Sequence, residues 1–326
     1  VTSSGPAFTV PYDETMRARL RSVLGGAAAV ADVSHDLTHA HAEVVERLLA
    51  EAGLVHEDVR VIGFHGHTTL HRPAARRTVQ IGDGALLAEL TGIDVISDFR
   101  NADVAVGGQG APLAPLYHAA LSRDLELPLC VLNIGGIANL TWIGDDGTLL
   151  AFDTGPGNAL IDDWMWEMTG RKLDEGGRLA AEGDVDGVVL TRLMADPYFD
   201  RPPPKSLDRL DFDAAPLAGL SAEDGAATLI AFTCGAVSRS LGFLPGPPRR
   251  WLVSGGGRHN EMMMLVLAAT LGVPVEPVEA VGWDGNVLEA EAFGFLAMRS
   301  LRGLPLSLPT TTGVPEPLAG GRLHPA

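Results

Sequence analysis

The chain has two cysteines in 326 residues, Cys130 and Cys234, each inside an apolar run (129–132 and 230–237). That excludes a disulfide framework and a cysteine-based metal site; both read as buried thiols in a reducing compartment. Basic residues are scarce as well: 24 Lys and Arg stand against 41 Asp and Glu, a net charge of −17. Such a surface repels nucleic acid and anionic lipid, so neither nucleic acid nor membrane is expected as a partner. An anionic small substrate must then be held by local cations or backbone groups against that field. No apolar run approaches the roughly 20 residues that cross a bilayer. Residues 1–10 have neither a basic start nor an apolar core, so no signal peptide is expected and the cytoplasm is the default location.

Hydrophobic residues make up 46% of the chain, enough to bury the cores of two ordinary domains. Helical spacing covers residues 14–24 and 36–52; in the second, Leu37, Val44, Val45, Leu48 and Leu49 share a face. Short strands are expected at 59–64, 79–81 and 93–97, the first ending at Gly63-Phe64-His65-Gly66-His67-Thr68. A long polar, glycine-rich loop follows over 98–112. Three consecutive strands, 129–133, 138–143 and 148–152, are separated by Gly135-Gly136 and by Asp145-Asp146-Gly147, the latter a hairpin turn. Helices are expected at 159–168, 222–241, 260–271 and 286–301, with strands at 251–253 and 273–277. Residues 198–210 are too rich in proline for regular structure, and a loose tail is expected from 304. Strands alternate with helices around a central run of strands, which predicts an α/β fold with a mixed sheet. A Gly-rich, charged stretch at 174–187 is one candidate for a break between lobes.

The run with the most chemistry is Phe152-Asp153-Thr154-Gly155-Pro156-Gly157-Asn158, between an apolar strand and an amphipathic helix. Glycines let backbone N–H groups approach oxyanions, and a helix N-terminus favours negative charge. The carboxylate cannot itself hold phosphate; it binds a cation or takes a proton, which points to phosphoryl transfer. The same run also reads as a tight βα turn with a structural Asp cap. Gly135-Gly136, Gly107-Gly108-Gln109-Gly110 and Gly255-Gly256-Gly257 are three further glycine-rich turns after strands. The triple glycine, followed by Arg258-His259-Asn260, would let a flat nucleoside lie on the backbone, or is simply a turn needing positive φ. Arg100, in Asp98-Phe99-Arg100, could grip a carboxylate or phosphate, or pair with Asp98 or Asp103. His65, His67 and His71 have loop-site spacing, but no cysteine or second carboxylate cluster accompanies them, so no protein-held metal is expected. Pro203-Pro204-Lys205-Ser206 presents one cation, either to a sugar or phosphate or to solvent.

Together these runs resemble the anhydro-N-acetylmuramic acid kinase family, sugar kinases of the actin/hexokinase/Hsp70 superfamily. The similar stretches are residues 63–68, 98–100 through 107–113, 133–139, 152–158, 203–206, 255–257 with Asn260, and Glu289-Ala290-Glu291-Ala292-Phe293. They follow the family's order between about Pro11 and Arg299. The resemblance implies a two-lobed actin-like ATPase (ribonuclease H-like) fold with mixed sheets: an N-terminal lobe over 1–130 carrying sugar loops, a nucleotide-binding lobe over 131–303, and the tail 304–326. It implies ATP with Mg²⁺, a small-molecule sugar substrate, and a homodimer. The reaction it implies opens a 1,6-anhydro ring with water and phosphorylates O6, giving N-acetylmuramic acid 6-phosphate for cell-wall recycling. By position in the motif Asp153 is the base, with Asp162 and Asp163 as weaker candidates. His65, Thr68, Arg100, Gln109 and Glu291 would hold the sugar. Gly135, Gly155, Gly157 and Asn158 would meet phosphates, and Gly255, Gly256, Gly257 and Asn260 the adenosine.

Three departures accompany the resemblance. The family's opening strand and Gly-Thr-Ser-x-Asp-Gly phosphate loop have no counterpart, which predicts a first lobe short of strands and half a cradle for the β- and γ-phosphates. His67 stands where the family usually has Gln, and Leu207-Asp208-Arg209-Leu210 replaces its Thr-Gly-Arg-Glu. The alternative expectation is therefore a catalytically impaired or non-enzymatic muramyl-sugar-binding relative. A superfamily phosphotransferase for another sugar is disfavoured by the 98–110 loop.

Overall fold

A computed structural model describes residues 4–25, 30–208, 211–212 and 214–326. Arg209 and Leu210, in the run that departs from the family pattern, lie outside the described residues. The chain divides into two compact units, Val1–Leu121 with Val287–Ala326, and Ser122–Asn286.

The first unit opens with helices α1 (Glu14–Ser22) and α2 (Val30–Ala52), α1 started by Asp13, whose side chain accepts from the Met16 N–H. Strand β1 is only Ile62–Gly63, and it runs parallel to β4 (Val95–Ser97). Between them β2 (His67–Arg72) and β3 (Arg77–Ile81) form an antiparallel hairpin with a register shift between Thr68 and Leu70. The histidine run expected as a loop is therefore largely strand: the β-branched threonines 68, 69 and 78 and Val79 suit paired strands, and the histidines between them hide the alternation. Helix α3 (Gly84–Thr91) is capped by Asp83, which accepts from the Ala85 and Leu86 N–H groups. The polar loop after β4 contains α4 (Asn101–Ala105) and leads to α5 (Pro115–Leu121).

The second unit is built on β5 (Leu129–Ile134), β6 (Ile137–Ile143), β7 (Leu149–Pro156), β8 (Trp251–Ser254) and β9 (Val275–Pro277), in the order β7-β6-β5-β8-β9. β5, β6 and β7 form an antiparallel meander, whereas β5-β8 and β8-β9 are parallel. This is the mixed sheet of the ribonuclease H-like expectation. Leu129 to Leu132 are fully buried, as expected where helices cover both faces of a sheet. The covering helices include α6 (Ala159–Thr169), α7 (Gly187–Leu193), α8 (Ala222–Ser240) and α9 (Glu261–Leu271). Residues 222–243 are long and apolar enough to cross a membrane, contrary to the sequence expectation; here Phe232, Cys234, Ala236 and Val237 of that stretch lie in the core with Phe152 and Trp164. Cys130 and Cys234 are free and buried, and burial pushes the Cys130 thiol well up and that of Cys234 to about 12.

The chain then returns to the first unit with α10 (Leu288–Leu301) and β10 (Arg322–His324), which pairs antiparallel with β4. Phe293, Leu296 and Ala297 of α10 share a core with Ile96, Phe99, Leu113 and Leu306. That apolar face and the pairing of β10 place residues 287–326 in the first unit, so 304–326 is not the expected loose tail and the second unit ends before residue 303.

Candidate active site

Every sequence-predicted sugar residue falls in the first unit. His65 follows the end of β1, where the Phe64 N–H donates to Ile96 O (2.8 Å). Its ring packs 4.5 Å from that of Phe293, centroid to centroid. Arg100 donates from Nε to His65 Nε2 (2.9 Å), so Nδ1 carries the proton and donates to Gly66 O at 2.9 Å. Burial, then the Arg100 charge, lower His65 to about 3; it is neutral near pH 7. Arg100 also donates from Nη1 to Gly110 O (2.5 Å), while Asp103 Oδ1 accepts from the Gly110 N–H (2.6 Å). The Gly108 N–H is bound by Asp103 O and the Gln109 N–H by Thr312 O, so the 107–110 loop is pinned on both sides. Asp98, weighed as a partner of Arg100, instead accepts from Asn101 Nδ2 at 2.6 Å.

Thr68 sits in β2 and accepts from Gln80 Nε2 across the hairpin (3.2 Å). Glu291 enters from α10 and accepts from the Tyr117 hydroxyl at 2.8 Å, which with burial pushes the phenol upward. A cavity of about 280 Å³ is lined by His65, Gly66, Gln80, Asp98, Asn101 and His324, among others. His324 closes against Ser97 Oγ at 2.8 Å. His324 and Tyr117 were not singled out in the sequence; the three-residue strand and one tyrosine in a short helix carry no local signal.

The predicted nucleotide residues and Asp153 all fall in the second unit, where the glycine turns converge beyond the carboxyl ends of β5 and β8. In open α/β sheets that edge is where ligands bind. Gly135-Gly136 joins β5 to β6. The Gly157 N–H donates to Gly136 O (2.9 Å) and the Asn158 N–H to Gly135 O (2.7 Å), clasping the turn to the start of α6. A Cβ on Gly157 would stand 2.3 Å from Gly135 O, so only glycine fits. Gly157 thus spends its N–H on the protein, not on a ligand. Gly155 lies inside β7 against Ala236 of α8, which gives it a packing role. Asn158 Nδ2 donates to Ile134 O at 3.0 Å.

Gly255 has φ +74, and a Cβ there would fall 2.6 Å from Asn133 Oδ1 and Ile134 O. The triple glycine therefore sits tight on the end of β5, with Gly256 beside Asn158. Asn260 caps α9, its Oδ1 accepting from the Met263 N–H at 2.9 Å. The turn is braced by Arg258, whose side chain is 3% exposed. Arg258 donates to Gly255 O (2.8 Å), Glu279 Oε1 (2.9 Å) and Asn286 Oδ1 (2.7 Å). Its position within the glycine run was the available signal, since a cation there has backbone carbonyls to bind.

Asp153 lies within β7, one residue before a bulge: Asp153 pairs with Asn139 and Gly155 with Ala138, leaving Thr154 as the extra residue. Thr154 Oγ1 donates to Ala138 O at 3.1 Å. The strand therefore runs on to Pro156, past the end expected at 152. Asp153 is buried at 6% exposure; its N–H donates to Lys205 O (3.1 Å), and its Oδ2 accepts from the Leu207 N–H (2.8 Å). The Tyr198 hydroxyl donates to Asp153 O at 2.6 Å. Asp162 and Asp163 stand in the first half of α6, half-buried and exposed respectively.

A family model described as anhydro-N-acetylmuramic acid kinase matches residues 4–326. The chain belongs to the anhydro-N-acetylmuramic acid kinase family. It is 57% identical to a protein of that name from Rhodospirillum rubrum, over 99% of this chain and 87% of the relative. Identity is 57% to the one from Paramagnetospirillum magneticum (99% and 92%) and 56% to that from Acidiphilium cryptum (99% and 90%). The chain is accordingly an enzyme, a sugar kinase that uses ATP on a small-molecule sugar.

Proposed function

We infer that the enzyme opens the 1,6-anhydro ring of anhydro-N-acetylmuramic acid with water and transfers the γ-phosphoryl group of ATP to O6. The observation that carries the assignment of residues is the buried Asp153 carboxylate at the β7 bulge, on the strand that ends in the Gly155-Pro156-Gly157 turn. Asp153 takes a proton from water as the water oxygen bonds to the anomeric carbon. The bond from that carbon to O6 breaks, O6 attacks the γ-phosphorus, and ADP leaves. The Leu207 N–H favours the ionised carboxylate that this step needs.

The N-terminus of α6, the 135–136 turn and the 255–257 turn are assigned to ATP; the backbone, not a set of cations, offsets its charge. Mg²⁺ carried in with the nucleotide would neutralise phosphate charge. Among the described residues no three His, Cys, Asp or Glu side chains cluster to hold a metal, so phosphates and water would supply most of its ligands. His65, Thr68, Arg100, Gln109 and Glu291 are assigned to the sugar and its lactyl carboxylate. A homodimer in the cytoplasm completes the proposal.

The test is ADP release from Mg·ATP and the anhydro sugar in ¹⁸O-water, with the product analysed by mass. The expected product carries phosphate on O6 and one ¹⁸O at the anomeric carbon. Phosphorylation with the anhydro ring intact would overturn the water-activation step, and full turnover by Asp153→Asn would remove Asp153 as the base.

A further inference from the structure

Lys205 was weighed as a sugar- or phosphate-facing cation or as a solvated lysine; it is neither exposed nor aimed at solvent. Its residue is 2% exposed, and Nζ lies 4.5 Å from the Tyr198 ring centroid, 4.7 Å from that of Phe243 and 5.6 Å from that of Phe152. Nζ donates to Tyr198 O at 3.1 Å. Three bonds then close a circuit on one residue: Tyr198 hydroxyl to Asp153 O, Asp153 N–H to Lys205 O, and Leu207 N–H to Asp153 Oδ2. Methionine would fill the aromatic cage without carrying a charge out of water, so the ammonium is a costly choice for packing alone.

We propose that Lys205 is a positioning residue for Asp153: anchored among three aromatic rings, it fixes the 203–207 segment whose backbone grips Asp153 at its N–H and its carboxylate, and its charge favours the ionised carboxylate. This rests on the assignment of Asp153 as the base. Among the described residues, the charged and titratable groups facing the pair include Asp200 and Arg201 from the 197–201 turn, Arg239 from α8, and Asp211, which acts on Tyr198. Asp200 is ion-paired to Arg239, and the Arg201 guanidinium lies 5.6 Å from the Tyr198 ring centroid. Burial lowers the Lys205 ammonium to about 8, with Arg201 adding to the effect. The cation is therefore present at neutral pH, and it acts on Asp153 there.

The experiment compares Lys205→Met, Tyr198→Phe and Asp153→Asn with the parent enzyme for kcat, both KM values, thermal midpoint and the pH profile of kcat. Lys205→Met is expected to fold with an equal or higher midpoint, to lose about 10- to 100-fold in kcat, and to keep both KM values within about threefold. Its acidic limb should move to higher pH, because a nearby cation no longer favours the carboxylate. Tyr198→Phe keeps the cage and removes one bond to Asp153, so kcat should fall at unchanged KM even if the methionine variant fails to fold. Parent-like kcat and pH profile in a folded Lys205→Met, or unchanged kcat in Tyr198→Phe, overturns the inference while an inactive Asp153→Asn leaves the base in place. An active Asp153→Asn overturns the base and this inference with it.

Discussion

Removing the Arg258 side chain should cost nucleotide affinity without touching a reacting atom. Arg258 is 3% exposed and makes three hydrogen bonds, to Gly255 O, Glu279 and Asn286. Glu279 is 44% exposed, so water recovers most of what its ion pair loses, and that pair counts as a surface one, about 0.2–1 kcal/mol. The bonds to Gly255 O and Asn286 Oδ1 have a charged donor, worth about 1.5–3 kcal/mol each before the acceptors find other partners. Allowing for that recovery, Arg258→Ala should destabilise by about 2–4 kcal/mol, a drop of about 4–16 °C in midpoint for a unit of this size. Gly255, held at φ +74 against Ile134 O, would lose the brace on its carbonyl. ATP affinity should fall about tenfold or more, which is about 1.4 kcal/mol. Scanning calorimetry and separate titrations with ATP and with the anhydro sugar would measure both effects, and sugar affinity should change less than about twofold because the sugar residues lie in the other unit. A variant with parent-like midpoint and ATP affinity would refute the claim that Arg258 builds the triple-glycine turn.

Arg100→Ala should raise KM for the sugar by about 10- to 100-fold, since it removes a charged donor and unties His65 from the 107–110 loop; steady-state kinetics with unchanged KM would exclude it from the sugar site. Gly157→Ala places a Cβ 2.3 Å from Gly135 O and should cost about 1–3 kcal/mol in denaturant melts, with ATP KM raised. His65 has a folded value near 3, below its ordinary 6.5, so its contribution to stability is fully present above about 6.5 and declines as pH falls toward 3. His65→Asn should flatten that part of the stability–pH curve, and an unaltered curve would show that the ring is not held neutral.

The strong periodic and apolar segments could be read directly: α1, the hairpin of β5 and β6, α6, α8 and α9 lie where spacing and turn residues put them. What could not be read has local causes. The strand β2 is written in His and Thr, whose polarity mimics a ligand loop, and its pairing with β3 only exists once the hairpin closes. β10 has three residues and owes its place to β4, a pairing more than two hundred residues apart in sequence. The unit boundary was misplaced because α10 continues the helix spacing of the second half, while Phe293 and Leu296 belong to the core around Phe99.

The candidate site divides along a different line. Glycine turns and one acidic residue announce themselves because their chemistry is tied to backbone geometry: Gly157 and Gly255 admit no Cβ, and Asp153 sits where a bulge turns the strand. Cations announce only that they are cations. Arg100 and Lys205 each looked like a hand extended to an anionic substrate, which the net charge of −17 seemed to demand, and Arg258 was not singled out. In the structure each is engaged with the protein: Arg100 with His65 and Gly110, Lys205 with Tyr198, Arg258 with the Gly255 carbonyl. A long, flexible side chain can satisfy its charge in either direction, and which one wins depends on carbonyls and rings supplied by distant segments. Where cations brace the loops, the glycine turns and α6 are what we propose to meet phosphate. Their dipoles are fixed by the fold and need little reorganisation when the charge on the transferring group changes.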